Sequence, residues 1–170
     1  MTEGPQVLHR CVGGTIVLPA AGLVLVDRAD GGNLVVNPPR AVWERSCLGK
    51  DELIAWSCLV AATGQAMIDA LPQLDGGCVN YWEAGNWALN DAADPHGPKT
   101  APDNRQVHMH LLGRSRDAAS ADWRWGEAPR FPRYAERLEW AAKHERLTEA
   151  ECTAVVQRAR DVLRDKYGIA

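Results

Sequence analysis

The sequence predicts an α+β domain: an antiparallel sheet of about five strands, a long helix packed on it, and a pair of C-terminal helices. Three observations carry that expectation. Apolar runs punctuated by Gly, Pro and Asp fill residues 15–37, an unbroken helical period runs from 50 to 71, and residues 106–111 alternate strictly between polar and apolar. No strand–helix–strand alternation points to a doubly wound parallel sheet. At 170 residues the chain can bury a core of its own. It is expected to form a single domain over 1–170, with a core at about 11–114 and a helical extension at about 132–167.

Taken in order, residues 1–10 are polar and read as an arm. Thr15-Ile16-Val17-Leu18 and Leu23-Val24-Leu25-Val26 are two strand-like runs with Pro19-Ala20-Ala21-Gly22 as a turn between them. Asp27-Arg28-Ala29-Asp30-Gly31-Gly32 is a turn signal, and Asn33-Leu34-Val35-Val36-Asn37 is the strand that returns from it. Pro38-Pro39 ends that strand because neither residue can donate to a ladder. Leu53, Trp56, Val60, Gly64, Met67, Ile68 and Leu71 follow a helical spacing that Pro72 stops. Residues 78–82 and 86–89 read as extended, and residues 91–105 form a proline-rich loop of the kind that often carries function. Helices are expected at about 132–145 and 148–167, the second with Thr148 and Glu151 as a capping box and Gly168 as its stop.

Composition narrows the setting. A net charge of −3 exerts no general pull on nucleic acid. The Met1-Thr2-Glu3 start lacks the basic and apolar runs of a signal peptide, and no apolar stretch approaches the roughly 20 residues of a membrane span. The five cysteines are scattered and form no Cys-x-x-Cys pair, which suits reduced thiols in a cytoplasmic protein.

The chemistry concentrates on Gln106-Val107-His108-Met109-His110-Leu111-Leu112-Gly113. On a strand, Val107, Met109 and Leu111 point to the core, and Gln106, His108 and His110 share the other face. Two imidazoles on one face of a strand can attack an electrophile or hold a metal. A metal site needs a third ligand, and no carboxylate follows until Asp117, so neither metal nor cofactor is expected.

This run resembles the signature of the histidine-triad (HIT) family, in which three histidines alternate with apolar residues. Leu25 to Pro38 is also similar to that family's strand–turn–strand, the helix at 50–71 falls in its expected place, and the likeness spans about residues 20–114. The resemblance implies a nucleotide hydrolase or nucleotidyltransferase that acts at the α-phosphate of a nucleoside phosphate derivative. His108 would be the nucleophile and His110 a phosphate-binding helper, with no metal required. Three departures stand out: Gln106 replaces the first histidine, Asn33 stands where the upstream strand often begins with His, and the loop at 91–105 is longer and richer in proline than the segment that usually leads into the triad. An amide can orient a neighbour but cannot exchange a proton near neutral pH. The resemblance further implies that Asp27 binds ribose hydroxyls and that an asparagine lies near the phosphate. Spacing from the helix favours Asn80 for that role and spacing to the histidines favours Asn90, the preferred choice. In the loop, His96, Lys99, Asn104 and Arg105 are the candidate phosphate contacts, and Lys99 and Arg105 would favour an anion electrostatically. Asn33 is carried as a nucleotide-binding candidate, and a homodimer is carried over from the family. The alternatives are a non-catalytic nucleotide-binding module and, ranked below it, a His-x-His metal site.

Overall fold

A computed structural model describes residues 4–169, so residues 1–3 of the expected arm lie outside the described residues. The architecture is α+β, with five strands in one antiparallel sheet. They are β1 (Gln6–Cys11), β2 (Gly14–Leu18), β3 (Asn33–Asn37), β4 (Cys78–Trp82) and β5 (Met109–Arg114), in the spatial order β1-β2-β3-β5-β4. The helices are α1 (Lys50–Ala70), α2 (Ala101–Asn104), α3 (Arg137–Ala141) and α4 (Glu149–Tyr167).

The alternation of β5 divides the sheet into two unlike faces. Val36 pairs with Met109 and Leu34 with Leu111, and this face turns to α1. Ile16, Leu34, Val36, Leu111, Trp56, Leu59 and Met67 form one buried cluster there. Helix α4 adds Val155, Ala159, Val162 and Leu163 to the same cluster, so the C-terminal helix is part of the core and not an appendage to it. Its Thr148–Glu151 capping box and left-handed Gly168 are as the sequence predicts. Helix α1 is long and apolar enough by length and composition to cross a membrane, contrary to the expectation that no stretch comes near. Here it is the core helix: its buried stripe packs on the sheet and on α4.

Four expected elements differ. Part of the supposed arm is β1, a strand with a register shift between Val7 and His9 that breaks the alternation a strand would show. Residues 23–26 are not a strand. A short 3-10 turn, Ala21–Leu23, leads into an extended segment whose Leu25 and Val26 amides donate to the Asn33 side-chain oxygen at 3.1 and 3.3 Å. With its donors taken by a side chain, the segment crosses the second face of the sheet instead of joining it. Residues 86–89 are likewise a 3-10 turn, and the expected helix at 132–145 contracts to a 3-10 turn followed by the short α3.

The second face is covered by loops. Leu25, Val26, Leu112 and Trp123 form a small buried cluster with Trp82, Trp87 and Phe131 against it. Polar bonds fix these loops. Asp30, buried, accepts from the amides of Ala119 and Ser120 at 2.7 and 3.1 Å, and the Trp123 indole donates to the Gly113 carbonyl at 2.7 Å. The turn before β3 lies directly on β5: a Cβ on Gly113 would stand 2.2 Å from the Gly31 carbonyl oxygen, and Gly31 has φ +125°. Because backbone faces backbone, neither side can yield cheaply. Gly113→Ala is therefore expected to cost about 2 kcal/mol of stability, within the usual penalty for overpacking. Urea unfolding monitored by tryptophan fluorescence measures it, and an unchanged midpoint would refute the close packing.

Candidate functional site

At the β4 end of the second face lies a cleft of about 340 Å³, the size of a small-molecule site. Gln106, His108 and His110 line it together, as the alternation predicts. Val107, Met109 and Leu111 do turn away from it, with Val107 and Leu111 buried and Met109 packed against the core. Regular pairing begins only at Met109, so His108 sits on the extended lead-in to β5, where the Val107 amide is held by the Val42 carbonyl at 2.8 Å.

The two imidazoles are locked to one another. His108 Nδ1 lies 2.8 Å from the Gln106 carbonyl oxygen, which can only accept, so Nδ1 carries the hydrogen. His108 Nε2 then holds a lone pair, and the 3.0 Å contact with His110 Nε2 requires His110 to donate. This assignment leaves His110 Nδ1 as a bare acceptor, and it is buried with no hydrogen-bond partner among the described residues. Burial, with a smaller contribution from His108, pushes the His110 pKa down from 6.5 to about 3. The site is thus built to keep His110 neutral.

Aromatic rings form the floor. Trp82 pairs with His110 across β4 and β5, its ring centroid 5.4 Å from the imidazole. Its other neighbour is Phe131, stacked at 4.4 Å and 19°. Trp87 and Ala88 line the cleft beyond it, with Leu23 and Leu25 as the opposite wall. That wall is secured from two sides, by Asn33 on the Leu25 and Val26 amides and by the Trp140 indole on the Leu25 carbonyl at 3.0 Å.

Apart from Asn104, the other sequence candidates do not line the cleft. The Asp27 carboxylate accepts from the amides of Ala29 at 2.8 Å and Glu145 at 2.7 Å, fixing the turn into β3. Asn33 is buried beneath the wall it supports. Asn90 accepts from the Ala92 amide at 2.9 Å within its own turn, and Asn80 is half-buried on β4 opposite Leu112. Lys99 folds back on the carbonyls of Asn90, Ala93 and Gly97. Arg105 lies behind Gly85, bonded to Glu44 at 2.6 Å and to the Trp43 carbonyl, with Glu83 3.7 Å away. Of the loop candidates Asn104 alone reaches the cleft, and His96 is exposed. Trp82 and Trp87, whose role the sequence leaves open, are cleft residues, whereas Trp123 is core. Among the described residues no group of three or more His, Cys, Asp or Glu side chains comes together as a metal-ligand set.

No protein-family model matches the chain, and no curated protein matches it in sequence.

The sunken His110 has a pH signature. Its folded pKa is depressed, so its contribution to stability is intact above the unfolded value of 6.5 and is lost as the pH falls from there towards 3. Nitrogen-15 imidazole NMR is expected to show His110 neutral from about pH 5 upwards. Protonation of His110 near pH 6 would contradict the burial argument.

Proposed function

We propose that this protein is a HIT-like nucleotide hydrolase or nucleotidyltransferase that works through a covalent nucleotidyl-histidine on His108. The observation that supports it most is the fixed tautomer of His108, whose Nδ1 is bonded to the Gln106 carbonyl at 2.8 Å so that Nε2 is the atom with a lone pair. That nitrogen opens on a cleft walled by Trp82, Trp87, Leu23 and Leu25, apolar surfaces suited to a flat base. In the free protein the lone pair is held by the N–H of His110 at 3.0 Å. When a phosphate enters, that N–H turns to a phosphate oxygen, which frees Nε2 to attack phosphorus and places a donor where negative charge grows. Being neutral, His110 can donate without competing as a strong acid. No metal or cofactor is needed for these steps, and five free thiols suit a cytoplasmic setting.

A second reading, a nucleotide-binding module without turnover, is favoured by Gln106. The two separate cleanly. Mixing with a dinucleoside polyphosphate followed by acid-free quenching and intact mass measurement is expected to show one nucleotidyl adduct, lost in His108→Ala. Calorimetric binding with neither adduct nor product would instead establish the module.

We also propose a homodimer through α1 and β4. Strand β4 is an edge of the sheet, and beside it Ile54, Ile68 and Tyr81 are 51%, 38% and 50% exposed. Ser57 and Ala61 lie on the same helical stripe between the two isoleucines, small enough for a second copy of α1 to approach, and the Tyr81 hydroxyl covers Gly64 beside them. Ile68→Glu is expected to give a folded monomer by sedimentation equilibrium, and a wild-type monomer at high concentration would refute the interface.

A further inference from the structure

The cleft holds a nucleophile but no acid for the group that leaves. Among the described residues lining it, the only ionisable side chains are His108 and His110. His108 would form the bond to phosphorus and cannot also protonate the departing atom. The buried Nδ1 of His110 has no hydrogen-bond partner, and its Nε2–H is the one donor the imidazole offers. The position two residues before His108, on the same side of the strand, is Gln106, and Asn104 lies beside it in the lining. Both are carboxamides: their N–H groups can stabilise negative charge, but they have no proton to transfer near neutral pH. The nearest carboxylate on the β4 side, Glu83, is ion-paired with Arg45 and Arg105 and does not line the cleft.

Resting on the nucleotidyl-transfer reading above, we infer that the bond broken is a phosphoanhydride, P–O to a group that departs as a stable oxyanion, and that Gln106 selects against P–N bonds to amines. The steps balance without an acid. The His108 Nε2 lone pair forms a bond to the α-phosphorus as the P–O bond breaks, and its electrons stay on the departing phosphate oxygen. Gln106 and Asn104 amide hydrogens solvate that oxygen. Water then bonds to phosphorus, the P–N pair returns to Nε2, and the surplus proton of the water passes to solvent, leaving a nucleoside monophosphate. An amine cannot take this route: without a proton it would have to leave as a nitrogen anion. A histidine at 106 would supply that proton, and general acids typically contribute about 10² to 10⁴ in rate.

The test compares kcat/KM for an adenylyl phosphoanhydride and for adenosine 5′-phosphoramidate, which share the same nucleotidyl group. Wild type is expected to favour the anhydride by about 10²-fold or more, and Gln106→His to raise phosphoramidate turnover by at least about tenfold. A series of nucleoside 5′-aryl phosphates gives a readout in the wild type alone. Because kcat/KM reports the first irreversible step, it should fall steeply as the phenol becomes more basic. A shallow dependence, or equal turnover of the P–N and P–O substrates, would overturn the inference while leaving the nucleotidyl-histidine reading standing. Turnover of neither substrate, with no adduct on His108, would overturn both.

Discussion

The structure depends on β5 having to satisfy two environments at once. As the strand between β3 and β4 it is hydrogen-bonded along both edges, so its register is set twice over. One face is sealed under α1 through Leu111, and the other carries His110 and Leu112. A slip of one residue would move the imidazole into the helix core and the leucine out of it. The hydrophobic demand on one face therefore fixes the position of the chemistry on the other.

The second face is walled by loops, and loops have no ladder to hold their backbone polar groups. Side chains take over that task. Asp27 caps the turn and ties it to residue 145, Asp30 holds residues 119 and 120, and Asn33 holds residues 25 and 26. The Arg28–Glu151 pair joins the same turn to the N-terminus of α4 at 3.0 Å. Asn33 serves amides that would otherwise be buried unpaired, which costs more than one hydrogen bond returns, whereas the amides that Asp27 holds lie at the surface. The cleft is shaped by residues that do not enter it.

This division explains what could be read from the sequence. Helix α1, strands β2, β3 and β5, and the capped α4 announce themselves through period and caps, which are local properties. The three residues Gln106, His108 and His110 share the cleft for the same reason. Strand β1 hides because a register shift spoils its alternation, and residues 23–26 imitate a strand because Asn33 imitates a strand partner. Lys99 and Arg105 look like free cations in sequence, yet each is bonded within its own surroundings, Lys99 by three carbonyls and Arg105 by carboxylates on either side. Trp82 belongs to the site only through its pairing with His110 across two strands about thirty residues apart, a register no local pattern encodes.

The electrostatics of the pair follow from the same packing. Sinking His110 against Trp82 removes water from the ring, and the neighbouring His108 makes a second positive charge unwelcome, so both effects push towards the neutral form. Neutrality suits a nucleophilic pair, because a lone pair must be available and a donor must not give up its proton too readily. It also empties the cleft of acid. On the proposed nucleotidyl-transfer reading, a third imidazole could supply the proton; with Gln106 in that place and His110 kept neutral, a departing group would have to stabilise its own charge. On that reading, nucleophilicity and leaving-group choice would both follow from the desolvation of His110.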